Sequence, residues 1–375
     1  MFLTYQYLLR PNKRQDAALD FQLWQSREVY NAALAQRIEA YKENGRTLGF
    51  FEQSRYFRKL RHTQQDTLGQ LNAKSLNQTL RRLDKAYASF FRRLKKKNKK
   101  KGFPQFKSRK DFKSFEYEYN NGCRLRFYAD HRVRLYLQNI GEIRICYHRP
   151  IPNSAEIKHV SIKRINERWY VFFMVKIQET QPKSQSFDSV GVDVGLISLL
   201  AFSDETLIPH PHWFLANHTH LRVLQRTVAR RQKSSNRRVK ALKQAARLFE
   251  KITNQRHDYL HKVTRNLVNQ YALIAIEDLS LGFMNQNKYL AGISLDASLG
   301  TFRYFLEYKA EAAGVQVVAV NPYNTSQSCS GCGELVPKDL DTRVHACPYC
   351  GLVLDRDVNA ARNILQAALA QTNAK

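Results

Sequence analysis

Residues 329–361 read CSGCGELVPKDLDTRVHACPYCGLVLDRDVNAA, and this run says more about the architecture than any other part of the chain. Two Cys-x2-Cys pairs are separated by fourteen residues: Cys329 and Cys332, then Cys347 and Cys350. Four thiolates on two tight turns complete a tetrahedral shell around Zn²⁺ with no open position. The pattern therefore predicts a structural zinc ribbon, favoured over a redox dithiol or an iron site. His345 is not needed as a ligand, so we expect it at the surface.

Three acidic residues stand at the ends of predicted elements. Asp193 ends the apolar run 190–192, Glu277 ends the run 272–276, and Asp357 precedes a predicted helix, 358–369. We expect a sheet to bring these carboxylates together, because strand ends meet at its edge. Hard divalent ions such as Mg²⁺ prefer carboxylate ligands. Two such ions about 3.5–4 Å apart activate the attacking oxygen and stabilise the leaving oxygen in phosphodiester hydrolysis. The set predicts a two-metal nuclease site.

Each acidic residue also has a structural explanation. Asp357 is equally well explained as the N-cap of the helix that follows it, because Asp is a favoured cap residue. Glu277 is also compatible with a surface strand end, and Asp193 with a turn before Gly195. Their order along the chain, with the cysteine pairs between the second and the third, favours the joint interpretation.

The amino-acid composition limits the classes of molecule that the protein is expected to bind. The 375 residues include 61 Lys and Arg against 32 Asp and Glu, a formal net charge of +29. Such an excess favours nucleic acid over a neutral metabolite, with the ribosome or an anionic membrane as alternatives. No run approaches the ~20 apolar residues of a membrane span, and the first residues lack a secretory leader. We expect two or three domains and a cytoplasmic, nucleoid-associated protein. The isolated Cys123 and Cys146 argue against a disulfide scaffold.

The first hundred residues are predicted to be helical. Apolar residues recur at spacings of three and four from Leu76 to Leu94, which is typical of an amphipathic helix. The helix continues into a basic tract that ends at Gly102. We expect the tract to bind phosphates, with a solvated helix end as the alternative. Its basic residues are Arg92, Arg93, Lys95, Lys96, Lys97, Lys99, Lys100 and Lys101.

Residues 114–177 change to short runs of alternating apolar residues. This pattern predicts a small antiparallel barrel or sandwich whose exposed Arg and Lys form a basic face. That face is suited to RNA or DNA, although a packing domain without a ligand fits the pattern equally well. The predicted strands are 115–119, 133–137, 143–147, 159–162 and 169–175.

A second domain is predicted after the linker 178–189. We expect a strand pair within 191–202 and two basic antiparallel helices within 221–270 that turn near 234–236. A last apolar strand, 315–320, then leads into the cysteine pairs.

Four blocks, in this order, resemble the TnpB (OrfB) proteins of insertion sequences, which carry a split RuvC-like nuclease. The blocks are Gly191-Val192-Asp193-Val194-Gly195, Ile276-Glu277-Asp278-Leu279, the two cysteine pairs, and Asp355-Arg356-Asp357-Val358-Asn359-Ala360-Ala361. Residues 83–91, 102–107 and 258–262 also resemble the family. The resemblance spans nearly the whole chain, and the ordered set is far more specific than any single block.

The resemblance implies an α+β multidomain fold. Its parts are a helical recognition lobe, a small antiparallel β-barrel, and an RNase H-like (RuvC) α/β nuclease domain with an inserted zinc ribbon. The implied boundaries are 1–20 and 108–180 for the barrel, 21–107 for the lobe, 181–324 and 354–375 for the nuclease domain, and 325–353 for the ribbon.

The resemblance also implies an activity, that of a transposon-encoded, RNA-guided DNA endonuclease related to compact type V CRISPR effectors. A guide RNA from the transposon end would direct Mg²⁺-dependent cleavage of double-stranded DNA beside a short transposon-adjacent motif, with base pairing providing the specificity. Asp193, Glu277 and Asp357 match the family's catalytic residues. The segment that reads the adjacent motif is matched by Lys74, Ser75, Asn77 and Gln78, for which an ordinary polar helix face is the alternative.

Arg343, just before the second cysteine pair, is a further candidate for contact with phosphate near the scissile bond. Three other functions remain open from the sequence. A nuclease-inactive, RNA-guided DNA-binding repressor would have lost a metal-binding carboxylate, and all three are present. A transposase would use the same metal chemistry, and a zinc-ribbon RNA-binding protein would need the acidic residues only for structure. Oligomeric state is not indicated.

Overall fold

The computed structural model describes residues 2–96, 102–129, 132–177, 188–195, 198–279, 298–339 and 342–373. The chain divides into two compact units, Met1–Gln178 and Glu179–Lys375. Most of the predicted linker 178–189 lies outside the described residues. Among the described helices, none combines the length and apolar character that a membrane crossing requires.

The first unit contains a closed seven-stranded barrel. Its strands follow the order β1-β5-β4-β3-β2-β6-β7, and every pair is antiparallel except the short β2–β3 pair. Each of the five predicted runs overlaps a strand, so the predicted barrel is confirmed. The bounds are β1 (Phe2–Arg10), β2 (Ser114–Tyr119), β3 (Gly122–Phe127), β4 (Val133–Leu137), β5 (Gly141–Ile145), β6 (Glu156–Ile165) and β7 (Arg168–Lys176).

The prediction of helix for the first hundred residues is wrong for β1. Tyr5, Tyr7 and Leu9 are buried and alternate with more accessible residues, the period expected of a half-buried strand. They point into a core that also holds Phe115 and Trp169. This strand pairs with β7, which comes much later in the chain, and that long-range partner is what overrides the helical context.

Three helices lie between β1 and β2: α1 (Lys13–Asn44), α2 (Phe50–Thr63) and α3 (Ala73–Lys95). Helix α1 begins with a capping box in which the Asn12 side chain accepts from the Gln15 N–H, and it ends at Gly45, whose φ is 61°. The predicted amphipathic helix is confirmed, because Leu76, Leu80 and Leu83 of α3 are buried. A separate core unites these residues with apolar residues of α1 and α2.

The second unit is built on a five-stranded sheet with the order β10-β9-β8-β11-β12. Strands β8, β11 and β12 are parallel, whereas β9 and β10 are antiparallel to their neighbours. The bounds are β8 (Ser189–Asp193), β9 (Ser198–Phe202), β10 (Leu207–Pro209), β11 (Leu273–Glu277) and β12 (Gln316–Val320).

Helices cover both faces of this sheet. Val192 and Ile276 share one core with the helices Asn236–Gln270 and Leu299–Ala313, whereas Ala275 and Val320 belong to another core with the helix Arg356–Asn373. The predicted basic helices are α4 and α5, and Ser235 caps α5 at the predicted turn. The bounds are α4 (Trp213–Arg230), α5 (Asn236–Gln270), α6 (Leu299–Ala313) and α7 (Arg356–Asn373).

The cysteine-rich segment lies between β12 and α7. A short antiparallel pair, β13 (Val344–Ala346) and β14 (Val353–Asp355), frames the second cysteine pair. Strand β14 passes directly into α7, so the helix start is fixed to the ribbon.

Candidate active site

Adjacent parallel strands bring the first two carboxylates to one edge of the sheet. Val192 of β8 pairs with Ile276 of β11. Asp193 and Glu277 follow these partners directly, and so extend from the same ends of neighbouring strands. The predicted convergence of these two residues therefore follows from the register of the two parallel strands.

Helix α7 brings the third carboxylate through an unusually close contact with β8. A Cβ atom on Gly191 would lie 2.0 Å from the carbonyl oxygen of Ala361. Only glycine allows the helix to approach this closely. Asp357 lies one helical turn before Ala361, and its Oδ2 would be 3.7 Å from a Cβ atom placed on Gly195. Asp357 is thus held beside the backbone that follows Asp193.

The helix cap is Asp355. Its Oδ1 accepts hydrogen bonds from the backbone N–H groups of Asp357 at 2.8 Å and Val358 at 3.3 Å. This pattern satisfies two of the free N–H groups at a helix start. The structural explanation of Asp357 as the N-cap is therefore wrong, and its carboxylate remains available for another role.

The electrostatics of the three carboxylates are linked. Burial, then the charges of Glu277 and Asp357, raise the pKa of Asp193 well above its ordinary value. Burial also raises the pKa of Glu277, and a hydrogen bond from Thr325 opposes that rise. The pKa of Asp357 is raised by burial and by Asp355. Such a set of crowded anions is costly unless a cation neutralises it.

The donor set fits divalent cations, because it offers hard carboxylate oxygens in a partly buried, anionic site. The three carboxylates do not, however, form one compact cluster. Among the described residues, the only group of three or more His, Cys, Asp or Glu whose ligand atoms all lie within 4.8 Å of one another is formed by the four cysteines.

That cysteine group has the dimensions of a zinc shell. The sulfur atoms of Cys329 and Cys350 lie 3.6 Å apart, as do those of Cys332 and Cys347. A tetrahedron with Zn–S bonds of about 2.3 Å has S···S edges of about 3.8 Å. The four predicted ligands therefore converge, and their geometry fits Zn²⁺.

His345 is fully buried, so its expected surface position is wrong. Strand β13 alternates, with Val344 and Ala346 exposed, which turns the imidazole into the ribbon. Lys338 Nζ lies 2.6 Å from His345 Nδ1 and also donates to the Ser326 carbonyl. Burial, then the Lys338 charge, lower the pKa of His345.

The residues predicted to read the adjacent motif lie at the start of α3. Ser75 is fully buried, so a direct nucleic-acid contact by its side chain is contradicted by the packing of the helix. Lys74 pairs with Glu118 at 2.8 Å, and Asn77 accepts a hydrogen bond from Ser54. Lys74 and Gln78 are partly exposed, and their role remains a prediction.

The basic tract is described only in part. Arg92, Lys95 and Lys96 are exposed, and the Arg93 guanidinium donates to the Gly102 carbonyl at 2.8 Å. Their contact with phosphate stays a prediction. Four further residues of the tract lie outside the described residues: Lys97, Lys99, Lys100 and Lys101.

Arg343 stands close to the candidate metal site. It is exposed, its carbonyl accepts the backbone N–H of Arg356 at 2.8 Å, and its charge lowers the pKa of Asp357. Its predicted contact with phosphate stays a prediction.

Some residues around the site were not predicted. Thr325 donates to Glu277, and Asn359 and Asn363 of α7 hold the backbone of 325–330. The available signal was the pair of asparagines four residues apart after Asp357, which share one helix face.

A row of arginines on the barrel was also missed. It comprises Arg126, Arg134, Arg144 and Arg10, which are direct cross-strand partners on β3, β4, β5 and β1. The row contributes four cations to one face of the barrel.

Three family models match the chain. A probable transposase model covers residues 172–288, a Cas12f1-like TNB domain covers 300–364, and a helix-turn-helix domain covers 1–46. Residues 1–46 contain β1 and the single helix α1 in this structure, in contrast to the description of the third model.

Two relatives match almost the full length. A candidate RNA-guided DNA endonuclease of Streptomyces pristinaespiralis is 33% identical, over 98% of this chain and 89% of that protein. InsQ of Escherichia coli K12, described in the same terms, is 30% identical, over 97% and 92%. A Cas12f1 structure, solved by cryo-electron microscopy as a complex with sgRNA and target DNA, has a TM-score of 0.57 at 16% identity, covering 92% and 82%.

The fold is thus of the kind found in type V CRISPR effectors. Within that class the chain belongs to the TnpB (OrfB) family of insertion sequences, which confirms the resemblance drawn from its motifs.

Proposed function

We propose that this protein is a transposon-encoded, RNA-guided DNA endonuclease that cuts target DNA beside a short adjacent motif. Asp193, Glu277 and Asp357 would hold two Mg²⁺ ions for phosphodiester hydrolysis. The observation that carries the proposal is the assembly of these three carboxylates by β8, β11 and α7 at one edge of the sheet. The names of the full-length relatives support the RNA-guided activity.

The topology of the second unit supports an RNase H-like, RuvC-type nuclease domain. Numbered in chain order, its five strands are arranged 3-2-1-4-5, with the first three antiparallel and the last two parallel to the first. We assign 181–324 and 354–375 to this domain and 325–353 to its zinc ribbon. The barrel would comprise 1–20 and 108–180, and the recognition lobe 21–107.

In the proposed chemistry the protein positions the charged side chains that would bind the metal ions and the phosphate. When bound, two Mg²⁺ ions lower the pKa of the attacking water and neutralise the charge that develops on the phosphoryl group. Asp193 and Glu277 are fixed by strand register, and Asp357 by the capped start of α7. Arg343, beside Asp357, would hold the scissile strand through its phosphate.

The arginine row supports a nucleic-acid partner for the barrel. Like charges directly opposite each other destabilise a sheet. Glu142 pairs with Arg126 and Arg134, but within the described part of the chain Arg10 and Arg144 make no ion pair. Four guanidinium groups on adjacent strands form a line of positive charge of the kind that attracts a nucleic-acid backbone. We assign the row to the backbone of the guide RNA, with target double-stranded DNA as the second partner.

The test starts from the protein expressed with its flanking genomic DNA. The copurified RNA is sequenced, and a plasmid library carrying the matching target is incubated with the complex and Mg²⁺. We expect one abundant RNA, and cuts beside one short motif that disappear with Asp193→Ala. Guide-dependent binding without cutting would contradict the nuclease and favour a repressor. RNA binding without any target DNA binding would contradict both.

A further inference from the structure

We propose that Thr325 is a positioning residue for Glu277, and that α7 joins this positioning to the zinc ribbon. The inference rests on the proposed metal-dependent function, which it deepens. Hydrogen bonds connect the carboxylate at the end of β11, the helix that carries Asp357, and the segment that carries Cys329.

The contact between the two residues is short and sheltered. Thr325 Oγ1 donates to Glu277 Oε1 at 2.5 Å, and Thr325 is only 9% exposed. The other acceptor near this hydroxyl, the Pro322 carbonyl, lies at 3.2 Å. One proton cannot serve two acceptors equally, and the charged carboxylate is a stronger acceptor than the neutral carbonyl.

This hydrogen bond has a specific consequence for a metal ligand. The terminal torsion of a Glu side chain has broad minima, so a free carboxylate rotates readily. Holding Oε1 fixes the plane of the carboxylate and thereby the direction of Oε2. A carboxylate fixed in this way loses less rotational freedom when it binds a cation. The bond also opposes the rise in the pKa of Glu277 that burial causes.

Thr325 is itself held by α7. Asn363 Nδ2 donates to the carbonyls of Thr325 and Ser328, both at 2.8 Å. Asn359 Nδ2 donates to the Ser328 carbonyl at 2.8 Å, and its Oδ1 accepts the Ser330 N–H at 2.9 Å. The two asparagines are four residues apart and share one face of the helix.

The segment that these two asparagines hold, residues 325–330, also contains a predicted zinc ligand. Cys329 lies between the two residues, Ser328 and Ser330, that Asn359 holds. The helix face that binds this segment begins two residues after Asp357. Thr325, Cys329 and Asp357 are therefore parts of one hydrogen-bonded assembly, in which bound zinc would restrain the loop that orients Glu277.

The experiment uses the full-length protein with its copurified RNA. Mn²⁺ binding is followed by the electron paramagnetic resonance of the free ion, and the Mg²⁺ concentration for half-maximal cleavage is measured in parallel. Zinc content and Tm are recorded for every variant. The variants are Thr325→Val, Thr325→Ser and Thr325→Ala. Thr253→Val is the matched control, because the Thr253 hydroxyl donates to the Phe249 carbonyl within α5 rather than to a candidate metal ligand.

We expect Thr325→Val to weaken Mn²⁺ binding and to raise the half-maximal Mg²⁺ concentration, each about tenfold. Cleavage at saturating Mg²⁺ should fall much less, and Thr325→Ser should restore binding. Unchanged Mn²⁺ binding in Thr325→Val would overturn the inference. Loss of zinc or a large fall in Tm in both Thr325→Val and Thr325→Ala would show a purely structural role, and would also overturn it.

The link to the ribbon is tested with Asn363→Ala. If α7 positions Thr325, this variant should retain zinc and show the same weakening of Mn²⁺ binding as Thr325→Val. If Asn363→Ala binds Mn²⁺ as tightly as the wild type, the proposal that α7 positions Thr325 is wrong. If the unaltered protein neither binds Mn²⁺ nor cuts DNA, the proposed function itself fails, which is a different result from failure of Thr325 alone.

Discussion

Asp355 accepts the backbone N–H of Asp357 through its side chain, so one aspartate caps α7 while the other faces the candidate metal site. The two therefore have separable roles. We expect Asp357→Asn to lower the cleavage rate by about 10²-fold or more, as when a charge-stabilising group is removed. Asp355→Asn should cut at nearly the wild-type rate, because Asn is an equally good cap. If single-turnover assays show the same loss of cleavage rate in both variants, the two aspartates do not have separate roles.

Gly191 is expected to be irreplaceable on packing grounds. Its Cβ would fall 2.0 Å from the Ala361 carbonyl, so Gly191→Ala must push α7 away from β8. We expect the free energy of unfolding to fall by about 1–3 kcal/mol or more, and cleavage to be lost. Denaturant unfolding and a cleavage assay provide the two measurements. Gly49→Ala, where a Cβ would meet nothing within 4 Å, is the control. Similar stability in the two variants would be incompatible with the contact.

Zinc is expected to be structural. Cys347→Ser removes one of four converging thiolates and should lower zinc content and Tm, because a shell of three leaves a weaker site. Cys146→Ser, outside the ribbon, serves as the control. Elemental analysis and thermal unfolding provide the measurement. Full zinc content and an unchanged Tm in Cys347→Ser would refute the assignment.

The arginine row should act through phosphate charge. Replacing Arg10 and Arg144, the two members of the row without an ion pair among the described residues, with Gln should weaken RNA binding and reduce the slope of log K against log salt by ~0.7 for each lost contact. Arg46→Gln is the control, since Arg46 is exposed and already paired with Glu52. Binding is measured at several salt concentrations. An unchanged slope in the double variant would exclude the row as a phosphate site.

Acid stability of the barrel should depend on Glu116. Burial raises its pKa, but hydrogen bonds from His159 and Arg82 outweigh this effect and lower the pKa to about 2. A carboxylate with a depressed pKa stabilises the fold fully above its unfolded value near 4.5, and this stabilisation is lost as the pH falls toward 2.

We therefore expect Glu116→Gln to lower the free energy of unfolding by about 2–3 kcal/mol at neutral pH, and by progressively less as the pH falls from about 4.5 to about 2. Denaturant unfolding of the wild type and the variant across this pH range provides the check. A difference in stability that does not change with pH would argue against the ion pairs.

The features that sequence could predict were those with a strict spacing. The four cysteines, the amphipathic α3 and the carboxylates at strand ends each leave a periodic or local signal. The residue pattern alone did not predict strand β1, because its pairing with β7 is remote, although Tyr5, Tyr7 and Leu9 do alternate. Only the resemblance assigned residues 1–20 to the barrel.

Other features depend on which way a side chain turns, and spacing does not reveal that. Asp355 and Asp357 are chemically identical and two residues apart, so only the start of the helix distinguishes the cap from the candidate ligand. His345 is buried because β13 presents it inward. The contact between Thr325 and Glu277 joins residues far apart in the chain and has no sequence signature.

The closure of the barrel has a consequence for biosynthesis. Phe2 pairs with Lys176, so β1 emerges from the ribosome long before its partner exists. Helices α1, α2 and α3 have their own core and can fold in that interval, whereas β1 must wait with an unpaired edge. The loop that closes the barrel is long, and its entropy slows this step. We therefore expect early chaperone capture of the nascent chain to centre on β1.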